Sequence, residues 1–225
     1  MHKDVRAILV SLGTEITEGI IQDTHGRFLG SELTALGIRV ERISILRDGP
    51  EAIEELKQAA RESDLLIVSG GLGPTADDIT RDAVAEAAGV ELQLDEDLWE
   101  LLKQRYGLSK AEANRRQFLI PAGFTVIENS TGTAPGFWGE VDGTMLCALP
   151  GPPRELRPMF FDTLKEEITS FFHLEPMKST ELSTFLIPEA VLEDVCARIS
   201  ASETEGTARV KWRTRFQPYR ISLYL

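Results

Sequence analysis

Three glycines and two carboxylates share one short stretch, VSGGLGPTADDIT, at positions 68–80. Gly70, Gly71 and Gly73 would let a backbone approach an anion closely, whereas Asp77 and Asp78 would repel it. The stretch is no P-loop, because no Gly-Lys-Ser/Thr follows the glycines. Gly71, Gly73 and Ala76 meet the loose spacing of a dinucleotide fingerprint, but Pro74 and the paired acids do not suit a pyrophosphate resting directly on a helix N-terminus. A divalent cation, Mg²⁺ or similar, reconciles the two halves, since it commonly bridges one or two carboxylates to substrate phosphates. The expected metal ligands are Asp78 and Asp77, joined by Glu15, with Thr75 beside the phosphates. The plainer alternative is that the two aspartates only charge the first turn of a helix starting at 79.

Other loops add polar groups. GTEITEGIIQDTHG (13–26) supplies Glu15 and Asp23, as ligand contacts or as a solvated loop. LPGPPRE (149–155) brings Pro150, Gly151, Pro152 and Arg154 to a helix start, which is either an anion site or a proline-rich turn. NSTGTAPGFWG (129–139) offers Thr131, Gly132, Thr133 and Gly136 to a ribose and base, unless it is a flexible hairpin. Asn114 and Gln117 stand three apart on one helix face, able to bond a ligand or to cap a neighbouring turn. His2, His25 and His173 are scattered, with no zinc spacing and no Ser-His-Asp or Cys-His grouping.

Periodicity predicts the strands and helices between which these loops run. RAILVSLG (6–13), IRVERISIL (38–46) and LLIVSG (65–70) predict strands; 25–37, 49–64 and 79–89 predict helices, two of them closed by Gly37 and Gly89. Pro50 suits the first turn of the second helix. Strands alternating with helices imply a parallel sheet covered on both faces. Further helices are predicted over 95–107, from Ser109 (in capping-box spacing with Glu112) and from Pro153 to about Phe172. Strand character returns at 124–129 and 144–150, separated by a glycine-rich stretch and a Val-Asp-Gly turn. The fold class expected is α/β, with domains at 1–175 and 176–225, the second a small α+β unit. In an open parallel sheet ligands bind beyond the carboxyl ends of the strands, and three of the loops above leave such ends.

Bulk composition narrows the partners. Lysine and arginine number 24 against 36 acids, a net charge of −12, which argues against nonspecific nucleic-acid or anionic-membrane binding. Cys147 and Cys196 lie in apolar settings, as suits core thiols in a reducing cytoplasm rather than a disulfide framework. No run of about 18 apolar residues would span a bilayer. The last strand ends without a capping tail, so a longer parent chain is expected.

Five motifs, GTEITEG, GGLGPTADDIT, NRRQFLIP, NSTGTAPGF and LPGPPRELRPMF, stand here in the order found in the CinA N-terminal family. The resemblance covers roughly residues 6–175. It implies a three-layer α/β/α molybdopterin-binding (MoaB/Mog-like) domain with a nucleotide-type ligand. The tail resembles CinA's small linking domain; the family's C-terminal amidase domain lies outside this chain. Domains similar to this one are associated with metal-dependent cleavage of ADP-ribose to AMP and ribose 5-phosphate, and their relatives adenylylate molybdopterin. Carried over, Asp78 falls on the family's metal-binding acid, Gly71 and Gly73 on its phosphate loop, Glu15 and Asp23 on its first acidic loop, and Pro150, Gly151 and Pro152 on its third. One departure stands out: CinA proteins usually have Asn-Thr-Asn where this chain has Asp23, Thr24 and His25, a form closer to the domain fused to eukaryotic FAD synthetases.

The leading expectation is therefore a metal-dependent nucleotide pyrophosphatase, with Asp78 holding the ion and Asp23 as the candidate base. Arg154 or the amides of Gly71–Gly73 would stabilise phosphate charge. The alternatives are a molybdopterin-adenylylating domain and a non-catalytic nucleotide-binding module. Family analogy implies a homo-oligomer, dimer or trimer.

Overall fold

Six consecutive residues of β1 (Arg6–Leu12) are buried, as are all five of β3 (Leu65–Ser69). A strand buried on both faces needs such an unbroken apolar run, which these sequences supply. The computed structural model describes residues 4–107, 114–175, 181–185, 187–201, 213–217 and 220–224. Two compact units divide it, Met1–Glu175 and Pro176–Leu225.

The first unit holds a six-stranded sheet. With β2 (Arg39–Leu46), β6 (Thr125–Ile127), β7 (Gly136–Val141) and β8 (Thr144–Leu149), the order is β2-β1-β3-β8-β7-β6. The first four strands in that order are parallel, and β7 runs antiparallel to both its neighbours. Two-residue periodicity sorts side chains between two cores. Leu9, Ile67 and Cys147 face a layer containing Leu29 and Leu33 of α2 (His25–Ala35), together with Leu156 and Phe160. Val10, Val68 and Leu146 face Leu56 of α3 (Pro50–Glu62) and Val84 of α4 (Thr80–Ala88). Each buried side chain of this size contributes roughly 2 kcal/mol. The three-layer α/β/α expectation is borne out.

Three details differ from the sequence expectation. The helix expected to run through Phe118 is, among described residues, a 3₁₀ turn at Arg115–Phe118 leading into β5 (Leu119–Pro121), which pairs with β4 (Leu92–Leu94). Its start at Ser109 and Glu112 lies outside the described residues. The glycine-rich stretch contains β7, joined to β8 by Asp142 (φ 51°) and Gly143 (φ 84°), the two positive φ values of a type I′ hairpin. The long helix after Pro153 is interrupted. Its first part, Pro153–Met159, contains Pro158, and a π turn at Phe160–Leu164 precedes Lys165–Phe171. A proline cannot donate to the preceding turn, so the ladder is locally broken there.

The second unit, described by itself, is an antiparallel sheet of β9 (Glu181–Phe185), β10 (Arg213–Gln217) and β11 (Arg220–Tyr224), in the order β10-β11-β9, with a helix at Glu189–Ala201. Among the described residues no helix is long and apolar enough to cross a membrane.

Candidate functional site

β1, β3 and β8 are parallel neighbours, so their carboxyl ends share one edge of the sheet, and the loops leaving them enclose a cleft of about 1170 Å³. The loops meet at Gly70. Its N–H donates to the Leu149 carbonyl at 3.0 Å, and with φ 95° it lies against the end of β1. A Cβ there would sit 2.2 Å from the Leu12 carbonyl oxygen. Only glycine fits, for reasons of both conformation and space.

Beyond Gly70 the loop is tied by its own charges. Asp78 accepts from the Gly73 N–H (2.7 Å), the Thr75 N–H (2.9 Å) and the Thr75 hydroxyl (2.6 Å). Arg81, on the first turn of α4, is wholly buried and donates to the carbonyls of Leu72 and Gly73, the latter at 3.0 Å. Burial lowers its pKa to about 10, offset partly by Asp78. Among the described residues its Nε has no hydrogen-bond partner. Thr80 donates its hydroxyl to the Gly70 carbonyl at 2.7 Å. Arg116 joins the Thr75 carbonyl (3.1 Å) to Asp82 (2.7 Å). The loop is thus fixed in shape by groups on both sides of it.

The first loop is anchored differently. Thr14 donates its N–H and hydroxyl to Asp48, at 2.8 and 3.0 Å. Asp23 accepts from the Ser11 hydroxyl (3.0 Å) and from the N–H groups of His25 (2.9 Å) and Gly26 (3.2 Å), satisfying the free amides that open α2. His25 Nδ1 lies 3.1 Å from the Ser69 hydroxyl. With the Ser69 hydroxyl 3.4 Å from that of Ser11, Asp23, Ser11, Ser69 and His25 form one network, drawn from the first loop and the ends of two strands. Burial lowers the His25 pKa; Asp23 and the Gly151 backbone oppose that, and Arg157 reinforces it.

On the far wall, Asn129 makes a side-chain-capped turn. Its Oδ1 accepts from the N–H groups of Thr131 (3.1 Å) and Gly132 (2.8 Å), while Nδ2 donates to the Ala134 carbonyl and to Glu155, both at 2.8 Å. The Thr131 hydroxyl, 3.3 Å from Asn129 Oδ1, can donate equally to the Arg154 carbonyl, also at 3.3 Å. That carbonyl would receive the N–H of residue 158 in a regular helix, but Pro158 has none.

Most of the expected residues converge on the cleft. Its wall includes Glu15 and Asp23 from the first loop; Gly70, Gly71, Gly73, Thr75, Asp77 and Asp78 from the second; and Pro150, Gly151, Pro152 and Arg154 from the third. Thr131, Gly132, Thr133 and Gln117 complete it. Asn114 and Gly136 do not line it. Gly136 is a packing glycine, since a Cβ would stand 2.6 Å from the Ala148 carbonyl oxygen. Sequence reasoning missed His25, Arg81, Asn129 and Glu155. Arg81 had a signal: it shares the inward stripe of α4 with Val84 and Ala85, where a charge is unexpected.

Among the described residues, no three His, Cys, Asp or Glu side chains group closely enough to hold a metal ion by themselves. Glu15 and Asp77 are exposed on the wall, and both oxygens of Asp78 are engaged within their loop. This set fits a hard cation carried in on phosphates, which needs only one or two carboxylates from the protein.

Comparison with known proteins agrees with this geometry. A family model described as a probable molybdopterin-binding domain matches residues 8–170. A CinA-like protein of Akkermansia muciniphila is 44% identical over 162 residues, covering 70% of this chain and 39% of that protein. One from Thermotoga maritima is 40% identical over 202 residues, covering 88% and 48%. The chain spans about half the length, or less, of these curated relatives. Among solved structures, a CinA protein of unknown function from Thermoplasma acidophilum matches with a TM-score of 0.66 and 35% identity, over 72% of this chain and 98% of that one. The tungsten cofactor synthesizing protein MoaB of Pyrococcus furiosus shares the fold, with a TM-score of 0.52 at 19% identity over 76% and 97% of the two chains.

Proposed function

This chain belongs to the family of molybdopterin-binding domains found in CinA-like proteins, and on that premise we propose that its cleft binds a phosphorylated heterocycle of the molybdopterin or adenylyl class. The observation that carries this reading is the inward use of Asp78. Three donors from its own loop satisfy its carboxylate, and the buried Arg81 stands beside it. An acid so engaged braces the glycine turn instead of confronting an anion, which removes much of the repulsion the sequence implied. Arg154, at the cleft wall and mostly exposed, supplies a mobile counter-charge to phosphates.

A second reading, hydrolysis of ADP-ribose to AMP and ribose 5-phosphate, is favoured by Glu15 and Asp77. These exposed wall carboxylates are free to reach a cation borne by a diphosphate. Water would add across the anhydride, with one P–O bond breaking as another forms. A bound divalent ion would polarise the phosphoryl oxygen and lower the pKa of water. Asp23, spent on Ser11 and the start of α2, positions the first loop instead of reaching a reacting water. The names of the relatives favour the binding reading.

Calorimetric titration with AMP, ADP-ribose and a phosphorylated pterin, with and without Mg²⁺, tests both. Saturable binding of any of them supports the first reading. Release of AMP from ADP-ribose only when a divalent ion is present supports the second. Absence of binding by all three overturns the assignment of the cleft.

A further inference from the structure

The outer strand of the large sheet, β2, has β1 on one side only, and its free edge divides into two parts of opposite character. Residues 39–42 carry three charges, and Glu41 is an extra residue among them: Val40 pairs with Ala7 and Arg42 with Ile8, so the strand bulges between the two. Charges and bulges are means by which an edge strand resists pairing. Residues 43–46, Ile-Ser-Ile-Leu, have neither, yet Ile43 and Ile45 are 47% and 42% exposed.

The backbone defines what such an edge accepts. The Arg39 N–H donates to the Val5 carbonyl, and the Leu46 carbonyl accepts from the Gly13 N–H, so both residues are turned to the β1 side. Strand alternation, counted back from Leu46, turns the N–H and C=O groups of Ile43 and Ile45 to the free edge. An antiparallel copy of the same strand, related by a two-fold axis through Ser44, meets them in register. Ile43 then makes a hydrogen-bonded pair with Ile45 of the second copy, and Ile45 with its Ile43. Glu41 falls toward Arg47, again twice, so opposite charges close both ends. Moving the axis to Ile43 sets Glu41 against Ile45, and moving it to Ile45 sets Ile43 against Arg47; either shift loses both matches. The present partners of these charges are surface pairs, Glu41 with Arg39 and Arg47 with Glu18, whose exchange costs little. Beside Ile43 a groove of about 310 Å³ opens between β2 and α2, lined by Gly26, Gly30 and Thr34. Ile45 of the second copy, opposite Ile43, would stand at its mouth.

We propose that β2 is a self-pairing edge: two copies of this chain join antiparallel strands about a two-fold axis at Ser44, extending the six-stranded sheet to twelve. The interface is isologous, so each favourable contact occurs twice. Glu41, Ile43, Ser44, Ile45 and Arg47 do not line the cleft, so the pairing is independent of what the cleft binds.

Ser44→Cys tests the register. Opposed residues of a non-hydrogen-bonded pair have Cα atoms about 4.5 Å apart, within disulfide range, so mild oxidation of the full chain is expected to link two copies at this position. Ile43→Cys and Ile45→Cys each place the thiol diagonal to its own counterpart, about 8 Å away, and should not link. Wild-type protein, whose two cysteines are buried, is the control. Sedimentation velocity over a concentration series reads the association itself. Ile45→Lys puts a charge on the apolar part of the edge and should raise the dimer dissociation constant by about tenfold or more. Glu41→Arg and Arg47→Glu should each weaken association singly and restore it together. If these side chains served only their own-chain pairs with Arg39 and Glu18, the double variant would be the weakest instead. Wild-type protein that stays monomeric up to about 1 mM overturns the inference. So does a dimer untouched by Ile45→Lys, or one linked through position 43 or 45 and not through 44. A monomer whose Ile43 and Ile45 amides are already protected from hydrogen exchange would assign the edge to another segment of the same chain, and overturns it as well.

Discussion

Asp78 and Arg81 hold opposite ends of one peptide unit: the Leu72 carbonyl accepts from Arg81, and the Gly73 N–H donates to Asp78 at 2.7 Å. The two side chains thereby fix the rotation of that unit without contributing to its covalent chain. Arg81→Met would keep most of the packing volume and leave the Leu72 and Gly73 carbonyls buried without donors. Loss of about 3 kcal/mol in urea unfolding is expected. Asp78→Asn leaves the exposed side of the loop in place and should cost about 1 kcal/mol, with a larger proportional effect on nucleotide affinity. A loss for Arg81→Met within about 0.5 kcal/mol of zero would refute the clamp.

Two glycines with similar backbone angles separate crowding from conformational strain. Gly70 (φ 95°) and Gly143 (φ 84°) both lie where side chains are disfavoured, but a Cβ at Gly143 has open space, whereas one at Gly70 sits 2.2 Å from the Leu12 oxygen. Gly143→Ala is expected to cost about 1 kcal/mol by strain alone. Gly70→Ala must also displace the end of β1, and should cost about 3 kcal/mol or more, with loss of ligand binding. Equal melting temperatures for the two variants would contradict the close approach.

The strands and the edge they share were legible because burial on both faces demands continuous apolar runs, and 6–13, 65–70 and 144–150 are such runs. From that edge the convergence of three loops followed directly. Short β4, β5 and β7 escaped because three to six residues with prolines, glycines or mixed polarity give no decisive period. Within the site, residue types were read correctly more often than their partners. The aspartate at 78 looked like a ligand group because its acceptors are visible in sequence, while the amides that occupy them are not. Glu155 was hidden for the same reason, since burial of a charge is a tertiary fact, whereas Arg81 was marked only by its place on the inward stripe of α4.

His25 gives the fold a directional response to acid. Its pKa lies below the ordinary 6.5, chiefly because burial disfavours the charged ring. Below pH 6.5 the unfolded chain binds a proton that the folded chain resists, so stability is complete above that value and falls as pH drops through the lowered folded pKa. His25→Gln keeps a group able to bond Ser69 and removes the titration. The fall in melting temperature from pH 7 to pH 5 should be smaller in this variant than in wild type. Parallel pH profiles for the two proteins would exclude His25 as the source.

Thr131 faces an oxygen that Pro158 leaves without its helical donor. The Thr131 hydroxyl stands 3.3 Å from the Arg154 carbonyl, as it does from Asn129 Oδ1, and that carbonyl is open to it because residue 158 has no N–H. Thr131→Val removes the donor and should cost about 1 kcal/mol. Pro158→Ala restores a helical donor to the same oxygen, so in that background Thr131→Val should cost close to nothing. A double-mutant cycle measures the difference, and a coupling energy of about 0.5 kcal/mol or more is expected. Strict additivity would mean that the loop at 129–134 is held by Asn129 alone, and that the interruption of the helix by Pro158 has no part in shaping the cleft.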